Sequence, residues 1–299
     1  MIAASWLWVV FTLLATAGQT VRNAMQRELV TTLGTVGATN VRFLFGFPFA
    51  IVFLAGVLLA TGRALPQPGP TFWPWVLDGA LAQILATALL LAAMNVRSFV
   101  VTIAYIKTEP VQAALFGLVF LGDVLTLPMI VAVLAATGGV VVMSLKGGGA
   151  APGGLKPTLL GLAAGAMFAL SATGYRGAIL ALGHPSFVLA ATFTVTVGLV
   201  LQAVLLTIYL ALKQRTVLAS IARAWRPSLF AGFMGATASE FWFLAFALTS
   251  VANVRTLALV EVLFAQTISC FIFKQATTRR EALGMALIVV GVVLLIWVQ

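Results

Sequence analysis

The residues able to do chemistry are few, and their setting makes them conspicuous. Lys107, Glu109, Glu240, Arg255 and Glu261 lie within long apolar stretches, together with Arg42, and Asp78 lies nearer an end of one. An ionisable group at the middle of a bilayer costs several kcal/mol unless it is paired or faces water. Two uses follow from that cost. The charges can pair with one another and lock helices together, or they can line a wet path for a solute, with Glu109, Glu261, Lys107 and Arg255 as the coupling and charge-bearing groups. A glutamate that takes up and releases a proton would couple flux to a proton gradient, and Glu109 is the expected carrier of that proton.

Neutral polar residues extend the pattern. Thr102, Tyr105, Glu109 and Gln112 follow i, i+3, i+7, i+10 spacing and share one face of a continuous helix. Pro110, next to Glu109, removes a backbone donor and leaves a carbonyl one turn earlier in need of a partner. On that helix Lys107 lies well around from Glu109, so the two are not expected to pair. Trp8, Thr12, Gln19, Asn23 and Gln26 form a second stripe with Arg22 at its edge, and Gln83 and Thr87 lie one turn apart. Single hydroxyl or amide bonds suffice to join helices, so seams this long suit a cavity wall. The expected substrate contacts are Trp8, Gln19, Asn23, Arg42, Gln83, Thr87, Tyr105, Glu109, Gln112, Glu240 and Trp242. Basic groups in the spans slightly outnumber deep acids, which fits a substrate bearing a carboxylate or phosphate.

Only membrane helices can position such groups. Of 299 residues 62% are hydrophobic and 8% charged, and the mean hydropathy is +1.13; no water-exposed surface can be built from so few charges. The apolar runs are continuous and near the roughly 20 residues that a spanning helix needs, not the alternating segments of a barrel. Ten spans are predicted, near 4–27, 36–60, 73–95, 98–121, 126–145, 158–181, 186–212, 228–249, 253–273 and 282–298. The stretch 213–227 sets Val217, Leu218, Ile221 and Trp225 against three arginines and predicts a short amphipathic helix in the headgroup layer. Cys270 is alone, so no internal disulfide forms. The net charge of +10 resides in connections between spans, where it anchors helices at headgroups, so nucleic acid is not an expected partner. The N-terminal run merges into the first span and is expected to stay uncleaved.

A shift of 152 positions aligns 73–145 with 225–297 without a gap, placing Trp73 on Trp225, Thr87 on Ser239, Glu109 on Glu261 and Gly139 on Gly291. The expected organisation is a first five-helix repeat at 1–147, a Gly/Pro-rich linker at 148–157 and a second repeat at 158–299. An odd number of spans per half inverts the second half, and such repeats enclose a site near the midplane for alternating access. Twelve of the 17 basic residues lie near odd-numbered connections and two, Arg63 and Arg176, near even ones. The positive-inside rule then puts the odd connections in the cytoplasm and both termini outside.

Enzyme chemistry has no material here. The one histidine, His184, precedes Pro185 in a connection, and no nucleotide-binding or zinc-protease motif occurs. No cofactor or metal is expected, and energy must come from ion gradients.

The segment "TEPVQAALFGLVFLGD" (108–123) resembles the Pro-Val, small-residue, apolar run ending in Gly and an acid that marks EamA-type permeases of the drug/metabolite transporter superfamily. Its counterpart "VEVLFAQTISCFIFKQ" (260–275) keeps the pattern less well, with Val262 for the proline and Lys274-Gln275 for the ending, and "GMALIVVGVVLLIW" (284–297) is similar to the family's half-ends. The resemblance covers essentially the whole chain. It implies an all-α fold of ten spans as two inverted five-helix repeats around a central cavity. It also implies a multi-pass carrier of a bacterial-type inner membrane, often an exporter of amino acids or other metabolites, with both termini cytoplasmic, against the charge count. The expected function is secondary active transport of a small metabolite, first an amino acid or organic anion, with protons as a coupling partner and the lipid bilayer as solvent. A lipid-headgroup translocase or a cationic drug exporter of the same fold is the alternative. Oligomeric state is left open, and a monomer is compatible with the sequence.

Overall fold

The computed structural model describes residues 6–94, 105–144, 155–264 and 278–298, and all regular structure among them is helical. In chain order the helices are α1 (Leu7–Leu44), α2 (Phe47–Thr61), α3 (Phe72–Met94), α4 (Glu109–Phe116, continued by a π-helical turn Gly117–Leu121), α5 (Leu127–Ser144), α6 (Leu155–Leu182), α7 (Phe187–Lys213), α8 (Arg215–Arg223), α9 (Trp225–Leu248), α10 (Val251–Leu257) and α11 (Arg279–Val298). Five stretches among the described residues are long and apolar enough to cross a bilayer: Glu28–Thr61, Phe72–Ala92, Phe187–Lys213, Trp225–Leu248 and Arg279–Val298. Two shorter apolar helices, Glu109–Leu121 and Leu127–Met143, accompany them. Leu59, Val119, Val293 and Trp297 are among the large apolar side chains left exposed, as expected where lipid is the solvent. The chain is an all-α, membrane-embedded protein.

Several boundaries differ from the sequence reading. No eight-residue connection follows residue 27. Helix α1 runs on to Gly34, whose φ of 68° and ψ of 175° belong to glycine alone, and the chain folds back there. The amide of Gln26 consequently reaches the carbonyl of Ala38 at 3.0 Å, a contact impossible along one straight helix, where 12 residues span about 18 Å. The second predicted span, 36–60, is interrupted at 45–46: a Cβ at Gly46 would stand 2.5 Å from the Arg42 carbonyl oxygen, and Pro48 opens α2 in its first turn. The amphipathic segment does form α8, but its apolar side covers protein. Ile221 is buried against the Leu29, Leu33, Ala38 and Val41 cluster, and Val217 packs on Gly37.

Spans four and nine are not continuous helices either. The backbone turns at Lys107–Thr108 and again at Ala258–Leu259, and a new helix starts beyond each turn. Pro110 therefore sits in the first turn of α4, where its missing N–H deprives nothing of a partner. The predicted shared face of Tyr105, Glu109 and Gln112 is lost with the helical register at that turn, and Thr102 lies outside the described residues.

The three most extensive helix pairs are α3 against α6, α9 against α1, and α5 against α11. In the last pair backbones touch. A Cβ at Gly139 would meet the Gly284 carbonyl and the Ile288 nitrogen at 2.5 and 2.9 Å, and one at Gly291 would meet the Ala132 carbonyl and the Ala136 nitrogen, both at 2.7 Å. Gly139 and Gly291, Ala132 and Gly284, and Ala136 and Ile288 are each 152 positions apart, so the contacts on the two sides of this crossing are interchanged by that shift.

Candidate functional site

A narrow pocket of about 10 Å³, room for about one water, lies within the bundle, lined by Arg42 from α1, Gln83 from α3, Tyr175 from α6, Val195, Leu199 and Gln202 from α7, and Ser239 and Phe243 from α9. Its position follows from small residues. Tyr175 is slotted between Gly79 and Gly198, where an added Cβ would stand 2.8 Å from its ring on either side, and Phe243 closes over the ring at a centroid distance of 4.5 Å. Gln202 donates to the Ala80 carbonyl at 3.3 Å. Arg42 donates to Thr87 Oγ1 at 3.0 Å. With the Gln83 amide oriented to satisfy its neighbours, its oxygen accepts from both Arg42 terminal nitrogens at 3.1 and 2.8 Å and its nitrogen donates to Ser171 at 2.7 Å.

Arg22 lies beside this cavity. It is 1% exposed and Arg42 4%. The stems of both pack on one glycine: a Cβ at Gly235 would be 3.4 Å from Arg22 Cδ and 3.4 Å from Arg42 Cγ. Arg22 Nη2 donates to Asn23 Oδ1 at 2.7 Å, while its Nε and Nη1, and Nε of Arg42, are buried without a hydrogen-bond partner.

A second polar region links the two helix breaks. Glu109 opens α4 and receives Arg255 of α10 at 2.8 Å, and Lys107, at the first break, pairs with Glu261, just after the second. Each break thus supplies the other with its partner charge. Arg255 lies over the Trp242 ring at 4.4 Å, and the Trp242 indole donates to Gln19 Oε1 at 3.2 Å. At the motif's end, Asp123 faces Arg176 at 3.6 Å, which also donates to the Phe246 and Thr249 carbonyls.

The expected substrate contacts separate into three groups. Arg42, Gln83 and Thr87 come together at the cavity, with Asn23 on Arg22 beside it. Gln19, Trp242, Glu109, Lys107, Arg255 and Glu261 belong to the linked pairs. Trp8, Tyr105, Gln112 and Glu240 join neither: Trp8 is packed in the apolar core, Gln112 donates to the Leu162 carbonyl on α6 at 3.4 Å, and Glu240 accepts from Thr192 on α7. The Tyr105 backbone carbonyl accepts from Thr108. Sequence reasoning missed Tyr175 and Gln202 as cavity residues. Gln202, an amide in a helix that is otherwise apolar or hydroxyl-bearing up to its terminal Lys213, carried the signal that could have found it.

No family model matches this sequence, and no curated protein does. Solved structures do. One, described only as "Crystal structure of protein", superposes with a TM-score of 0.71 over 98% of this chain and 96% of that one, at 16% identity. The likeness is one of fold.

Proposed function

We propose that the chain is a secondary active transporter of a small metabolite, an amino acid or organic anion, working by alternating access between two inverted five-helix halves in a bacterial-type inner membrane. The observation that carries this reading is a narrow pocket within a membrane bundle that gathers Arg42, Gln83, Gln202 and Ser239 and is walled by α1 and α3 from one half and α6, α7 and α9 from the other. Interchanged contacts across α5 and α11, and cross-supplied charges at the two helix breaks, support the inverted halves. Broken helices beside a midplane site are a recurring feature of carriers built from inverted repeats. The pocket's volume of about 10 Å³ is far below the roughly 300–1,000 Å³ of drug-sized sites, so a solute enters only when the walls part, as alternating access requires.

Because Glu109 is tied to Arg255, the proton-carrying role expected of it passes to Glu240. Its Oε2 is buried without a hydrogen-bond partner, and no cation pairs with it among the described residues.

The test is counterflow in proteoliposomes loaded with amino acids, organic acids or polyamines. Saturable exchange of one class is expected, and a proton gradient should drive it in the wild type but not in Glu240→Gln, which should still exchange. Absence of saturable exchange for every class would end the carrier reading.

A further inference from the structure

Three cations within this bundle each have a carboxylate, and two buried arginines do not. Lys107 has Glu261, Arg176 has Asp123 and Arg255 has Glu109. Among the described residues Arg22 and Arg42 have no carboxylate, though their stems share the surface of Gly235. Two further acids within the bundle do not serve them: Glu240 is bound to Thr192, and Asp78 lies against Gly174.

Such a pair cannot be held for stability. A buried guanidinium with unmet N–H groups is costly, and a second cation beside it adds repulsion. Asn23, Thr87 and Gln83 offer neutral oxygens, which orient the forks without neutralising them. What would satisfy both is an anion with at least two oxygens, since a guanidinium fork matches a carboxylate or phosphate edge in bidentate fashion. Arg42 already faces the cavity, where Gln202, Tyr175 and Ser239 offer hydrogen-bonding groups to the rest of a solute.

We propose that Arg22 and Arg42 together seat the carboxylate or phosphate of a compact solute at the cavity beside α9. The proposal rests on the carrier reading and gives that carrier its substrate class. It fails separately from that reading if a cation is exchanged without need of the arginines.

The experiment is ligand-dependent thermal stability and equilibrium binding of the purified full chain in detergent. The probes are glutamate, succinate, glycerol 3-phosphate, putrescine and short-chain phosphatidylglycerol. At least one soluble anion at millimolar concentration should raise Tm, and putrescine should not. Arg22→Gln and Arg42→Gln should each weaken that anion about 100-fold, and Arg42→Lys, which keeps the charge and loses the fork, about 10-fold. Ligand-free Tm should not fall in Arg22→Gln, as it would for a structural arginine; a lower ligand-free Tm with unchanged anion affinity overturns the proposal. So does the absence of any anion-dependent shift, or exchange of putrescine that survives both substitutions, which leaves the carrier standing. Arginine-dependent binding of phosphatidylglycerol alone upholds the seat, makes its source a lipid headgroup, and removes the metabolite carrier. Arg215→Gln, exposed on α8, is the control.

Discussion

Two groups of cations within this bundle differ in one respect. Lys107 and Arg255 each have a glutamate from the opposite helix break, and Arg255 also rests on Trp242. Arg22 and Arg42, beside the cavity, have only neutral oxygens. Removing a partner from a matched pair leaves an uncompensated charge, whereas removing an unmatched charge relieves one. The two groups should therefore answer substitution with opposite signs.

The largest effect is expected at Glu109→Leu, which strands Arg255. Unfolding in detergent should show a loss of about 3–5 kcal/mol, and a wild-type midpoint would dissolve the distinction between the groups. Next, Lys107→Glu and Glu261→Lys should each destabilise, while the exchanged double variant should recover much of the loss. A double variant no better than either single would mean that the pair is not coupled. Of opposite sign, Arg22→Met should stabilise the ligand-free protein by about 1–2 kcal/mol, read as a higher Tm. The smallest change sharpens the contrast further: Thr87→Val removes one hydrogen bond to Arg42 and should cost about 1 kcal/mol at most.

How much of this was legible beforehand depended on the kind of interaction. Apolar runs report burial in lipid directly, so the all-helical membrane class followed from composition. Arg42, Gln83 and Thr87 were identifiable because polar groups in apolar helices are costly enough to need a reason. Partner choice was not legible. Helical spacing places Glu109, Tyr105 and Gln112 on one face, and that holds only while the helix is unbroken; the turn at Lys107–Thr108 sends Gln112 to α6. Proline at 110 signalled a departure from regular helix, but whether a proline kinks a helix or starts one depends on what the preceding residues meet across the bundle. Val262 at the equivalent place gives no such signal, yet the chain breaks at Ala258–Leu259 all the same. Tyr175 gave no signal, because the glycines that make room for it lie on α3 and α7, far away in sequence.

The fold-back at Gly34 bears on how the cavity can move. Arg22 and Arg42 stand 12 and 8 residues from that glycine on adjoining limbs, so one short staple carries both guanidiniums. With a single residue as its bend, the staple has little slack to let one limb slide along the other. Any rearrangement that opens the cavity must then carry the two cations as one cargo, keeping their mutual spacing while the walls of α7 and α9 shift around them.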